Sequence, residues 1–81
     1  MKMSKKDKEI KKLLNKKTLT SEEAVRLLEL DGWFSDKSSG TSHQQFEHSI
    51  KKGKITVPAE KNPLNVKTKN SILKQAGLKG N

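Results

Sequence analysis

The residues best suited to chemistry lie in a polar run near the middle of the chain, Gly-Thr-Ser-His-Gln-Gln-Phe over residues 40–46. In an extended strand, alternate side chains share a face, so His43 falls with Gln45 and opposite Phe46. Because Phe46 is the apolar member, its face is predicted to be the core face and that of His43 the open one. An exposed imidazole gains or loses a proton near neutral pH, which suits acid or base catalysis. The same spacing also fits a solvated histidine without a catalytic task.

The reaction that such a histidine could serve is RNA cleavage. RNA carries its own nucleophile, the 2′-hydroxyl, so a metal-free ribonuclease needs only a base, an acid and cations beside the phosphate. Lysine is a compact point charge that suits phosphate contacts. We expect the first three of the following lysines to hold the RNA backbone and the last three to form a second set: Lys51, Lys52, Lys54, Lys67, Lys69 and Lys74.

Metal and cofactor chemistry has little support. The chain has two histidines and no cysteine. His43 and His48 are five residues apart, so a strand places them on opposite faces and they cannot clamp one ion. The glycines are well separated and form no phosphate loop. We therefore predict no metal and no cofactor, and we interpret His48, on the face of Phe46, as structural.

The composition favours a polyanionic partner. The 81 residues carry 18 Lys and Arg against 9 Asp and Glu, a formal net charge of +9. Nucleic acid is the commonest partner of so basic a domain, although membranes and acidic proteins also attract it. No apolar run is longer than two residues, which argues against a membrane span and an export signal. The length excludes a large multi-domain enzyme. We expect a cytoplasmic protein that does not bind membranes.

The helices are indicated by their end signals. Thr20 and Glu23 predict a capping box at the start of a helix over residues 20–30, which Asp31-Gly32 ends. Residues 4–17 fit either a short helix capped by Ser4 or a frayed basic arm. A last helix is expected from about Thr68 to a C′ glycine at Gly77.

Between these helices the pattern is that of strands. Extended segments are predicted at Trp33-Phe34, over residues 42–50 and over residues 54–58, with a hairpin turn at Gly53. Trp33 is expected to pack beneath the helix rather than to stack on a base. The order is α-β-β-β-α, preceded by the basic segment, which defines an α+β fold.

Four fragments occur in an order that resembles a known family. They are Gly32-Trp33, the run at residues 40–46, Lys-Ile-Thr-Val-Pro at residues 54–58 and Ser-Ile-Leu-Lys-Gln-Ala-Gly-Leu at residues 71–78. Together they resemble the HicA toxins, small mRNA interferases of bacterial and archaeal toxin–antitoxin pairs. The resemblance covers about residues 20–79. It divides the chain into an N-terminal extension, residues 1–19, and a HicA-like domain, residues 20–81.

The resemblance implies a specific activity. Family members have a fold similar to a double-stranded-RNA-binding domain and cleave mRNA in association with translation, without a metal. Their catalytic histidine lies in a Gly-Ser-His motif that corresponds to His43, and a HicB antitoxin covers the site. In this sequence Thr41 stands between the glycine and Ser42, Glu60 occupies the place of a second histidine found in many members, and Lys67 replaces a frequent glycine.

Three other functions are compatible with the sequence. A non-catalytic RNA-binding module on the same fold would use the basic last helix and prefer duplex RNA. An interaction protein would use the acidic helix and basic arm for a partner. A membrane-surface protein would use residues 4–17, although that segment has no Trp or Phe.

Overall fold

The computed structural model describes residues 4–35, 43–59 and 61–78, and of His43 the backbone only. Within these residues three strands form one antiparallel sheet, in which the strands lie side by side in chain order. The architecture confirms the α+β fold and is consistent with a double-stranded-RNA-binding-domain-like fold that follows an extra helix. The elements, in chain order, are α1 (Lys5–Leu14), α2 (Ser21–Leu30), β1 (Phe34–Ser35), β2 (His43–Glu47), β3 (Ile55–Pro58) and α3 (Val66–Gln75).

Helix α2 has the two ends that its sequence predicts. The Thr20 hydroxyl accepts a hydrogen bond from the Glu23 N–H (3.1 Å), and the Glu23 carboxylate accepts one from the Thr20 N–H (3.0 Å). At the other end Gly32 takes a φ of 99°, and the Trp33 N–H donates to the Leu28 carbonyl at 2.9 Å. This is a Schellman ending, for which glycine is favoured at the left-handed position.

Helix α3 begins at Val66, two residues before the start that was expected near Thr68. Asn65 is its N-cap, and the Asn65 side-chain oxygen accepts a hydrogen bond from the Lys67 N–H at 2.8 Å. The predicted C-terminus is confirmed: Gly77 has a φ of 71°, and the Leu78 N–H donates to the Leu73 carbonyl at 2.9 Å.

The strands are shorter than the sequence predicts. Strand β2 ends at Glu47 rather than near residue 50, and β3 begins at Ile55 rather than at residue 54. The reason for the first difference is His48, whose ring accepts the backbone N–H groups of Ile50 and Lys51. Because a side chain accepts these two N–H groups, the chain turns away from the sheet at this point.

The core lies between one face of the sheet and helices α2 and α3. Phe46, Ile55 and Val57 are buried on that face, which confirms the face predicted from Phe46. Trp33 is also buried, as expected. The helices contribute buried side chains to the same cluster, namely Ala24, Leu27, Leu28, Ile72, Leu73 and Ala76.

Helix α1 packs on α2, so of the two alternatives for this segment the helix is the one observed. Leu13 is buried in the core cluster, and Arg26 Nε donates to Glu9 Oε2 at 2.7 Å. Lys16 pairs with Glu23 beside this contact. The hydrogen bond and charge of Arg26 lower the pKa of Glu9. The hydrogen bonds from Lys16 and from the Thr20 N–H, together with the charge of Lys16, lower the pKa of Glu23.

Candidate active site

The backbone position of His43 is fixed by the pairing of β2 with β3. In this register His43 faces Pro58, Gln45 faces Thr56, and Phe46 faces Ile55. Phe46 and Ile55 are buried, whereas Gln45 and Thr56 are exposed. Alternation along β2 therefore places position 43 on the side of the sheet opposite the core, as the sequence predicts.

Ser21 anchors the end of the sheet where His43 lies. Its hydroxyl donates to the Pro58 carbonyl at 2.6 Å and accepts the Lys61 N–H at 2.8 Å. The Ser21 N–H in turn donates to the Lys61 carbonyl at 2.8 Å. Because Pro58 is the cross-strand partner of His43, the first residue of α2 positions this end of β2. The sequence offered no signal for this role beyond the place of Ser21 after an N-cap.

Among the side chains that the structure describes, those on the sheet face opposite the core are polar apart from the aromatic ring of Phe34. Phe34 of β1 is 52% exposed and pairs in register with Glu47, which is also exposed. An exposed ring on a polar sheet offers a surface on which a nucleic acid base can stack. The neighbouring rings lie on opposite faces, with Trp33 buried and Phe34 exposed, and strand alternation is the sequence signal that distinguishes them.

His48 has a structural role, which confirms its interpretation from the sequence. Its Nδ1 accepts the N–H groups of Ile50 (3.0 Å) and Lys51 (3.1 Å). Nε2 therefore carries the ring proton and donates to the Asp31 carbonyl at 3.0 Å. The imidazole also meets the Trp33 ring edge-on, with 5.1 Å between the ring centroids. With both nitrogens engaged, His48 joins the hairpin to the end of α2 and is poorly placed to move a substrate proton.

The six predicted lysines fall into two groups. Lys51 Nζ donates to Asp31 Oδ2 at 2.6 Å and to the Ala76 carbonyl at 2.7 Å, so it links the hairpin to the ends of α2 and α3. Lys69 is buried, and its Nζ donates to the carbonyls of Lys16 and Lys17, both at 2.9 Å. The other four have exposed side chains, namely Lys52, Lys54, Lys67 and Lys74, and of these Lys54 lies within ion-pair distance of Glu47 (Nζ to Oε1 3.9 Å).

Several predicted features lie outside the described residues. These are Gly40, Thr41 and Ser42, which precede His43, and Glu60, which follows β3. Among the residues that are described, no group of three or more His, Asp or Glu side chains is arranged to hold a metal ion. Over the same ranges, no helix is long and apolar enough to cross a membrane.

The fold and the sheet face define a small basic α+β domain with a helix-covered side and an open side. Comparison with known families gives the class a name: the model described as the HicA toxin of bacterial toxin–antitoxin systems matches residues 21–78. The chain therefore belongs to the HicA toxin family, and its membership implies an antitoxin partner. The match begins at the first residue of α2, so α1 lies outside it. No curated protein matches the chain.

Proposed function

We propose that this chain is a metal-independent endoribonuclease, an mRNA interferase, that cleaves mRNA in the cytoplasm and blocks translation. The observation that carries the proposal is the contrast between its two histidines. His48 has both ring nitrogens engaged within the protein, whereas His43 begins β2 at a register position on the open side of the sheet. His43, within the range matched to the toxin family, is then the candidate catalytic residue.

The proposed reaction is an attack by the RNA on itself. A base takes the proton of the 2′-hydroxyl, the 2′-oxygen bonds to the adjacent phosphorus, and the bond from phosphorus to the 5′-oxygen breaks. The departing 5′-oxygen receives a proton. One fragment ends in a 2′,3′-cyclic phosphate and the other begins with a 5′-hydroxyl. His43 serves as the base or the acid, and water completes the proton transfers.

The exposed lysines support the RNA-binding half of the proposal. Lys52 and Lys54 lie in and after the hairpin turn next to β2, and Lys67 and Lys74 lie on α3. Contacts of ammonium groups with phosphates release counterions, so the affinity for RNA is expected to fall steeply with salt. The remaining lysines of the predicted set, Lys51 and Lys69, already bond within the protein, which is why the proposal rests on the exposed four.

The partner proposed for the open face is a HicB-type antitoxin. Family membership implies an antitoxin, and a protein laid over this face would cover both position 43 and the exposed ring of Phe34. Such cover would keep mRNA, free or on the ribosome, away from His43.

The proposal is tested in cells by following mRNA integrity after the chain is produced. Wild type should fragment mRNA and arrest translation, and His43→Ala should do neither. Gln45→Ala is the matched control, because Gln45 is exposed two residues further along β2. Equal mRNA loss with wild type and His43→Ala would refute the role of His43. Intact mRNA with wild type, together with salt-sensitive RNA binding in vitro, would favour the RNA-binding module without catalysis.

A further inference from the structure

A polar groove runs between β3 and α3, beside the candidate active site. It has a volume of about 330 Å³. Strand β3 lies at the edge of the described sheet, and α3, whose Ile72 and Leu73 are buried in the core, packs against it. The groove is lined by Lys54, which precedes β3, by Thr56 of β3, and by five residues of α3, namely Lys67, Thr68, Ser71, Ile72 and Gln75.

The helical wall of the groove is one continuous face of α3. Thr68, Ser71 and Gln75 are separated by three and four residues, the spacing that stacks side chains along one side of a helix. The groove therefore follows the helix for about two turns rather than ending at its N-terminus. A ligand lying in it would run alongside β3.

The chemistry of the lining suits a sugar–phosphate backbone. Two ammonium groups, three hydroxyls and one amide face the groove, and the lining includes no carboxylate. Lysines and hydroxyls are groups that bind phosphate oxygens and sugars without reading sequence. Lys54 Nζ lies 3.9 Å from Glu47 Oε1, longer than a hydrogen bond, and both side chains are exposed. A phosphate can therefore replace Glu47 as the partner of Lys54.

The size and place of the groove define which part of the RNA it could take. Its volume of about 330 Å³ is at the small end of ligand sites and accommodates about one nucleotide, not a duplex. Thr56 is the cross-strand partner of Gln45, and Pro58 that of His43. Two residues along a strand span roughly 7 Å, so the groove begins one short step from position 43.

We infer that this groove binds the ribose–phosphate of a nucleotide next to the scissile phosphate in single-stranded RNA. The inference rests on the proposed function, because it takes RNA as the substrate and His43 as the catalytic residue. It adds Thr56, Thr68, Ser71 and Gln75 to the substrate surface, where the sequence had indicated lysines alone.

The test measures binding in a chain that cannot cut. In the His43→Ala background, Thr68→Asp places a carboxylate in the groove, and the Kd for a single-stranded RNA oligonucleotide should rise about tenfold because like charges repel. Position 68 is in the first turn of α3, where an acidic residue favours the helix, so unfolding does not explain a loss. Thr18→Asp adds the same charge at an exposed position outside the groove and should change Kd much less.

A second pair of variants tests the cationic part. Lys67→Ala should weaken binding and reduce the slope of log K against log salt by about 1, as expected for one lost phosphate contact. Lys11→Ala removes an exposed charge from α1 and should leave the slope unchanged. Equal effects of Thr68→Asp and Thr18→Asp, or of the two lysine variants, would overturn the groove. So would tighter binding of a duplex than of the single strand.

The groove and the proposed reaction can fail separately. Loss of RNA affinity in Thr68→Asp without any cleavage by wild type would retain the groove and reject the nuclease. Cleavage by wild type at a rate that Thr68→Asp and Ser71→Asp leave unchanged would retain the nuclease and reject the groove.

Discussion

Two adjacent lysines in the β2–β3 turn share a residue type but differ in their contacts. Lys51 is tied to Asp31 and to the Ala76 carbonyl, whereas Lys52 is exposed. The sequence assigns both to RNA because they share a type and a turn. Their difference arises only when the ends of α2 and α3 meet beside the hairpin, which no local pattern reports. The contacts of Lys69 were equally unpredictable, because its Nζ donates to the carbonyls of Lys16 and Lys17, which are distant in sequence.

Loss of the Lys51 charge should therefore lower stability, whereas loss of the Lys52 charge should weaken RNA binding. Lys51→Met keeps the aliphatic stem but removes the Lys51 ammonium from the Ala76 carbonyl and from Asp31 Oδ2, which retains the Trp33 Nε1 donor at 3.1 Å. The free energy of unfolding should therefore fall by about 1–2 kcal/mol. Lys52→Met should change it by less than about 0.5 kcal/mol but weaken RNA binding. Denaturant unfolding and an RNA titration of both variants check this. Equal stability losses would contradict a structural role for Lys51 that Lys52 does not share.

A second residue-scale contrast involves two glycines with positive φ. A Cβ at Gly32 would lie 2.9 Å from His48 Nε2, whereas one at Gly53 would meet no atom within 4 Å. Alanine at either position is strained by its φ, at a cost of about 1–2 kcal/mol. Gly32→Ala should lose at least about 1 kcal/mol more, because the His48 ring must also move. Thermal unfolding of the two alanine variants measures the difference, and equal melting temperatures would show that the His48 ring moves aside without a cost in stability.

At the scale of elements, the helix ends were the most predictable features. Ser4, Thr20 and Glu23 cap helices where their types indicate, and Gly77 ends α3 as expected. Such capping signals act within one helical turn, so the local sequence is sufficient to predict them. The end of β2 and the start of α3 were missed because they depend on the His48 ring and the Asn65 side-chain amide, which accept hydrogen bonds from backbone N–H groups.

The docking of α1 on α2 should depend on pH. Arg26 and Lys16 lower the pKa of Glu9 and Glu23 in the folded chain. A group with a lowered folded pKa adds stability that is fully present above its unfolded pKa, about 4.3, and is lost as pH falls through the folded value. Acid should therefore loosen α1, which amide hydrogen exchange within residues 5–14 would detect.

Glu23→Gln separates the ion pair from the helix cap. Glutamine also completes a capping box, so α2 keeps its start, but the neutral amide has no charge to lose. The variant should show α1 exchanging faster at neutral pH and a smaller further change in acid. If acid loosens α1 equally in both proteins, the Lys16–Glu23 pair does not hold the helix.

Over the whole molecule, some charged residues pair with one another within the fold, whereas a second set of lysines has exposed side chains. Two ion pairs join the N-terminal segment to α2: Lys16 pairs with the acidic Glu23 of α2, and Glu9 of α1 pairs with the basic Arg26 of α2. The exposed lysines Lys52 and Lys54 lie at the β2–β3 turn, and Lys67 and Lys74 lie on α3. The order of elements, the core face and the family could all be inferred from sequence. The groove could not, because it forms only where two elements distant in sequence pack together.

The central claim is that His43 cleaves RNA without a metal. The most direct measurement incubates wild type and His43→Ala with single-stranded RNA in excess chelator and determines the ends of the fragments. Wild type should yield fragments with 5′-hydroxyl and 2′,3′-cyclic phosphate ends, and His43→Ala should bind the RNA but leave it intact. Cleavage by both proteins, or wild-type fragments with 5′-phosphate ends, would contradict the claim.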